Sequence, residues 1–185
     1  TLVALLAARE RATHGQANRH GAGGDLTVYT SVHGHSSIDK AVRIAGLGIE
    51  QLRHIPAGPD HAMDPDQLEA TIIADRAEGL TPAAVVATIG TTSSTAIDPV
   101  ADIAEVCRAH GVWLHVDAAY AGTAAVLPEM RWILAGLDGA DFALAVAITS
   151  TAVGLALIPS LCSIDVHQTS LRLPMPTCSS TRYLG

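Results

Sequence analysis

Aromatic side chains are scarce: two Trp, three Tyr and one Phe, 3% of 185 residues. The core must therefore be built from Ala, Val, Leu and Ile, and the 49% hydrophobic content supplies them. Charged residues reach only 16%, which with that apolar content rules out a disordered or linker-like chain. The length suffices for one domain with a sizeable core. Positive charge is the rarer sign, with eleven Lys and Arg against eighteen Asp and Glu, a net charge of −7. Nucleic-acid binding needs clustered cations to replace condensed counterions, so the balance argues against it. Ten of the eleven basic residues are Arg, and Lys40 is the one lysine. Cysteine is limited to Cys107, Cys162 and Cys178. Their odd number and wide spacing form neither a disulfide framework nor a zinc pattern, which favours a reducing compartment, the cytoplasm. No N-terminal signal peptide is visible, and Thr1 opens inside a helical pattern, so the expectation is a piece of a longer protein.

The remaining pattern alternates between two periods. Residues 2–13 predict a helix and residues 14–24, rich in Gly, His and Asn, a loop. Residues 25–31 predict a strand, and Ser36 or Ser37 opens a helix that stops near Gly46. A further strand is expected over 49–56. Then comes the clearest helix, with Asp64 as N-cap, Pro65 at the first helical position and Gly79 past the end. Its apolar stripe is Leu68, Ile72 and Ile73, with Asp75 and Arg76 placed on the outer face. Buried strands are expected over 82–90 and 112–117, separated by a helix that Pro99 opens and Asp98 caps. Pro128 starts a helix to about Leu137, and a strand follows over 140–146. The sum is an α/β fold with a mostly parallel sheet flanked by helices, whose ligands bind at the carboxyl ends of the strands. The loops after Thr30, Ile89 and Val116 are therefore the candidate site. From Phe142 to Ile164 no residue is charged, but Thr149, Ser150, Thr151, Gly154, Pro159 and Ser160 dilute the run too far for a membrane span.

Three strand-end segments carry polar groups: HGHSS (33–37), GTTSSTAID (90–98) and HVDAAYAG (115–122). Taken singly, each reads as solvated loop histidines, turn hydroxyls or a capping aspartate. Taken together they allow two kinds of chemistry. His33 with His35, and His115 with Asp117, supply ligand types suited to zinc or manganese, the basis for a metal-dependent hydrolase. The spacings are short and common, so that reading is weak. The second kind fits better. An aspartate at a strand end holds a pyridine nitrogen protonated, an imidazole stacks on the ring, and loop hydroxyls bond to its oxygens. Those are the parts of a pyridoxal phosphate site, where the cofactor acts as an electron sink.

The stretches LVALLAARE, YTSVHGHSSIDKAVRIAGL, MDPDQLEATIIADRAEGLTPAAVVATIGTTSSTAIDP and WLHVDAAYAGTAAVLPEMR occur in that order between Leu2 and about Asp141. In them the chain resembles the group II pyridoxal-phosphate-dependent decarboxylases, and WLHVDAAYAG with PE-x-R resembles the aromatic-L-amino-acid branch. The resemblance implies part of the large domain of a fold type I, aspartate aminotransferase-like enzyme, over residues 1–146. It implies pyridoxal 5'-phosphate as cofactor, a small-molecule amino-acid substrate, no nucleic-acid or membrane partner, and a homodimer in the intact protein. His35 would stack on the pyridine ring and assist proton transfer, and Thr92 would lie near the ring oxygen. Asp117 would pair with the pyridinium nitrogen, and Ala119 would pack on the other ring face.

Two departures accompany the resemblance. The family's phosphate-binding Gly/Ser loop lies upstream of the first helix. After the strand that ends near residue 146, the family carries an Asn-x-His-Lys-Trp segment with the Schiff-base lysine, where this chain reads VAITSTAVGLALIPSL. Lys40 does not replace it, because it matches a helical Ser-Ser-x-x-Lys-Ala position. Residues 147–185 are therefore expected to be an aberrant tail, frameshifted or disordered, with genuine divergence as the competing account. The expected function is a decarboxylase fragment lacking its lysine. A non-catalytic or partner-binding α/β module is the alternative.

Overall fold

The computed structural model describes residues 1–144. The expectations placed on 145–185, the aberrant tail and the weak membrane signal among them, lie outside the described residues. Five parallel strands form one sheet in the order β2-β1-β3-β4-β5. They are β1 (Leu26–Ser31), β2 (Leu52–Ile55), β3 (Thr81–Thr88), β4 (Trp113–Asp117) and β5 (Phe142–Leu144). The order reverses between β1 and β3, so the crevice of a doubly wound sheet opens there.

Strand alternation assigns each side chain to one of two layers. Val28, Ala84 and Val86 pack with Leu5 and Ala8 of α1 (Leu2–Ala12) and with Ile38, Ala41 and Val42 of α3 (Ser37–Ile44). Tyr29, Val85, Ala87, Leu114 and Val116 face the other way. They meet Leu68 and Ile72 of α4 (Pro65–Ala77) and Ile103, Ala104 and Cys107 of α5 (Val100–His110). Burial of each large aliphatic side chain contributes about 1.5–3 kcal/mol. Apolar surroundings push the Cys107 thiol up to about 12, which leaves it an inert core residue.

The expected cap of α4 is present: Asp64 accepts hydrogen bonds from the Asp66 and Gln67 N–H groups at 2.9 and 3.2 Å, and Pro65 sits at the first helical position. Other expectations need correction. The 14–24 loop contains a single turn, α2 (Ala17–His20), because the Thr13 hydroxyl accepts the Ala17 N–H. Residues Pro128–Leu134 form a 3-10 helix rather than an α-helix, with Met130 and Ala135 N–H groups reaching back three residues. Ile73, expected on the apolar stripe, is half exposed, and Asp75, expected on the outer face, is buried. The reason is angular: Asp75 lies three residues after Ile72 and seven after Leu68, on their face of the helix. Asp98 does not cap α5 but is buried 10 residues from Thr88, with a different task described below.

Asp75 is satisfied where it lies. Tyr29 Oη donates to Oδ2 at 2.7 Å, and Arg53 Nε donates to Oδ1 at 3.1 Å. Asp75→Ala leaves a buried phenol and a half-buried guanidinium without their acceptor. We expect a loss of about 3 kcal/mol of unfolding free energy, read from urea denaturation, by the cost of breaking a buried charge pair. Loss of under 0.5 kcal/mol would show that the network contributes nothing.

Candidate active site

The carboxyl ends of β1, β3 and β4 lie side by side, and the three polar segments leave the sheet there. β1 ends at Ser31, and the turn through His33 and His35 leads directly into α3. His35 is exposed. Its Nδ1 accepts the Ser37 N–H at 3.2 Å and lies 2.8 Å from Ser37 Oγ, which leaves the ring proton on Nε2. His33 packs edge-on against His61, at 5.3 Å between centroids, and not toward His35.

The loop after β3 is built rigidly. Gly90 and Thr91 N–H groups both donate to the Ala96 carbonyl, Ile89 bridges Ile97, and the buried Thr91 hydroxyl lies 2.7 Å from Ser94 Oγ. Thr92 is exposed at its tip. Gly90 sits at φ +85°, and a Cβ there would stand 2.4 Å from Ala121 Cβ, so only glycine lets the β3 and β4 loops press together. Asp98 closes this loop. Its Oδ1 accepts the Met63 N–H at 2.8 Å, and its Oδ2 accepts the Thr88 N–H at 2.7 Å. Burial raises its carboxyl above the usual range, and the two N–H donors partly offset the rise.

β4 ends on Asp117, which is 9% exposed. Alternation turns Trp113, His115 and Asp117 toward the α1 layer, and Trp113 packs there. Asp117 Oδ1 accepts the Ala119 N–H at 3.1 Å, which ties the two residues into one turn, and Oδ2 accepts the Thr1 hydroxyl at 3.3 Å. Thr88 is the register partner of Asp117 on β3 and is buried, with its hydroxyl unpartnered among the described residues. His115 is fully buried. Its Nδ1 donates to the Phe142 carbonyl at 3.0 Å, and Nε2 has no partner among the described residues. Burial lowers its pKa, so the ring is held neutral.

His35, Thr92, Asp117 and Ala119 thus stand on three adjacent strand ends, with no direct side-chain hydrogen bond joining the first three among the described residues. The donor set suits a flat, cationic heteroaromatic ring: a half-satisfied buried carboxylate, a spare hydroxyl and a small neighbour at Ala119. Among the described residues no three His, Cys, Asp or Glu side chains gather as ligands of a metal. Thr88 and the buried acceptor on His115 were missed from the sequence. The available signal was Thr88 itself, the polar residue inside the apolar run PAAVVATIG.

Residues 1–171 match the model of the pyridoxal-dependent decarboxylase conserved domain, a span that continues past Asp141. The chain belongs to the pyridoxal-dependent decarboxylase family. It is similar to a tyrosine decarboxylase of Oryza sativa subsp. japonica, at 46% identity over 143 residues, 76% of this chain and 26% of that protein. It is also similar to histidine decarboxylase of Mus musculus, at 40% identity over 147 residues, 76% of this chain and 22% of that protein. Among solved structures, Oryza sativa TDC with PLP and tryptamine superposes with a TM-score of 0.71 at 43% identity, covering 76% of this chain and 30% of that one. The chain therefore spans about a quarter of the length of the curated relatives it matches. The parallel sheet with its flanking helices is that of the fold type I decarboxylases.

In this decarboxylase sheet, the neutral His115 has a consequence for stability. Its pKa is depressed below the ordinary 6.5, so as pH falls through 6.5 the unfolded state takes up a proton that the folded state refuses. Stability is therefore present above that value and lost as pH falls below it. His115→Asn keeps a donor for the Phe142 carbonyl and cannot titrate. Denaturation of both chains between pH 7.5 and 5 should show a steeper acid-side loss in the wild type. Parallel curves would remove His115 as the cause.

Proposed function

We propose that this chain is the cofactor-holding part of a pyridoxal-phosphate-dependent carboxy-lyase acting on aromatic L-amino acids. The observation that carries the reading is Asp117, a buried carboxylate at the carboxyl end of β4 with one oxygen weakly engaged. Such a group is costly unless a cation completes it, and a protonated pyridine nitrogen is a fitting cation. The names of the tyrosine and tryptophan decarboxylase relatives support the substrate class, although histidine decarboxylase stands at a similar identity.

Asp117 would hold the ring nitrogen protonated, His35 would cover one ring face and Ala119 the other, and Thr92 would contact the ring oxygen side. When bound, pyridoxal phosphate supplies an electron sink for the carbanion left by loss of carbon dioxide. His35 carries its proton on Nε2, with Nδ1 engaged by Ser37, so Nε2 is the atom from which it would move a proton. Lys40 is exposed on α3 and is not a candidate for covalent attachment of the cofactor. The proposed chain thus grips the cofactor but does not turn over alone. A homodimer is proposed for the intact protein, and the cytoplasm as its compartment, on the sequence resemblance and cysteine usage. No helix among the described residues is long and apolar enough to cross a membrane.

Equilibrium dialysis with pyridoxal 5'-phosphate tests this directly. The wild-type chain should bind reversibly, with no adduct retained after borohydride reduction, and Asp117→Ala should weaken binding about 30-fold or more, the cost of a lost charge-assisted partner. Carbon dioxide release from tyrosine and tryptophan should stay at background with the cofactor added. Equal affinity in both chains would sink the assignment of Asp117, and turnover would overturn the lysine argument.

A further inference from the structure

Thr88 is 6% exposed, and its Oγ1 has no hydrogen-bond partner among the described residues. A valine would fill the same space without a stranded hydroxyl, so a buried threonine left unpaired calls for an acceptor. Its backbone cannot move to find one. The Thr88 N–H donates to Asp98 Oδ2 at 2.7 Å, and its carbonyl accepts the Asp98 N–H at 3.0 Å. Rotation about χ1 is the freedom that remains.

Asp117 is the charged acceptor beside it, in register on β4 and on the same face of the sheet. Among the described residues its Oδ2 takes only the Thr1 hydroxyl, at 3.3 Å, long for an O–H donor. His115, two residues earlier on β4, cannot serve as that donor. Its Nδ1 proton is given to the Phe142 carbonyl, which leaves Nε2 as a bare acceptor. Among the described residues Thr88 is the donor left on that face of the paired strand ends.

We infer that Thr88 is a positioning residue for Asp117: when a pyridinium ring is bound, its hydroxyl turns to donate to Oδ2 and holds the carboxylate toward the ring nitrogen. The inference rests on the decarboxylase reading and adds to it a residue that touches neither the phosphate nor the substrate. It makes Asp98 the anchor of the arrangement, because Asp98 fixes the backbone from which the hydroxyl turns.

The test titrates two probes into the wild-type chain, Thr88→Val and Thr88→Ser: pyridoxal 5'-phosphate, and its 1-deaza analogue, in which carbon replaces the ring nitrogen. Thermal melts accompany each titration. Thr88→Val should weaken pyridoxal phosphate binding about tenfold, the value of a hydrogen bond to a charged group, and should bind the deaza analogue within about twofold of wild type. Its melting temperature should stay level or rise, since a stranded hydroxyl is removed. Thr88→Ser should restore the affinity. Equal losses for both probes, no loss for either, or a loss that tracks a fall in melting temperature would each overturn the inference and leave the decarboxylase reading standing. Failure of the wild-type chain to bind pyridoxal phosphate would overturn both.

Discussion

Parallel pairing of β3 with β4 places Thr88 opposite Asp117, and the period of two along each strand then decides what faces the site. A slip of one residue would turn Asp117 into the α5 layer, among Ile103 and Ala104, where an ionised carboxylate has no partner. The same slip would bring Val116 to the α1 side. Register is thus specified by the penalty for a buried charge as much as by apolar packing. The chemistry proposed for the strand end depends on it, since Ala119 follows Asp117 through a one-turn connection and inherits its placement.

Two other buried carboxylates show how the sheet is braced around that pairing. Asp98 joins the β2–α4 connection to the end of β3 through the Met63 and Thr88 N–H groups. Asp75 joins α4 to β1 and β2 through Tyr29 and Arg53. Neither faces solvent, and each is surrounded by donors, as buried acids must be. They differ in consequence. Asp75 acts in the middle of the α4 layer, remote from the strand ends. Asp98 acts on the loop that carries Thr91 and Thr92, so the shape of the proposed site is coupled to the β2–α4 connection across the sheet switch point.

The order of strands and helices was legible in the sequence because its two periods are clean. PAAVVATIG and VWLHVD are apolar runs bounded by breakers, and the Asp64-Pro65 start of α4 carries its own cap. The errors fall on polar residues with tertiary partners. Asp75 and Asp98 were assigned to a solvent face and to a helix cap, the places where isolated aspartates usually serve. Their actual donors, Tyr29, Arg53, Met63 and Thr88, lie from 10 to 46 residues away in sequence. No local pattern encodes those partners. The strand-end segments were legible as a group because sheet topology sends them all to one edge. Thr88 was hidden by the same topology, since a threonine within a β-branched run reads as an ordinary strand residue.

Holding a cofactor and reacting through it make different demands on a chain, and the described residues meet the first. A carboxylate, a hydroxyl, an imidazole and a small side chain need only be fixed in position, and strand ends fix them well. A covalent amine must instead lose its proton near neutral pH, which requires burial or a neighbouring cation. Lys40 is not buried: it stands exposed on α3. No adjustment of the sheet would make it reactive without moving α3, whose Ile38, Ala41 and Val42 are fully packed against β1 and α1. The packing that presents His35 at the start of α3 is therefore the packing that keeps the chain's one lysine in water.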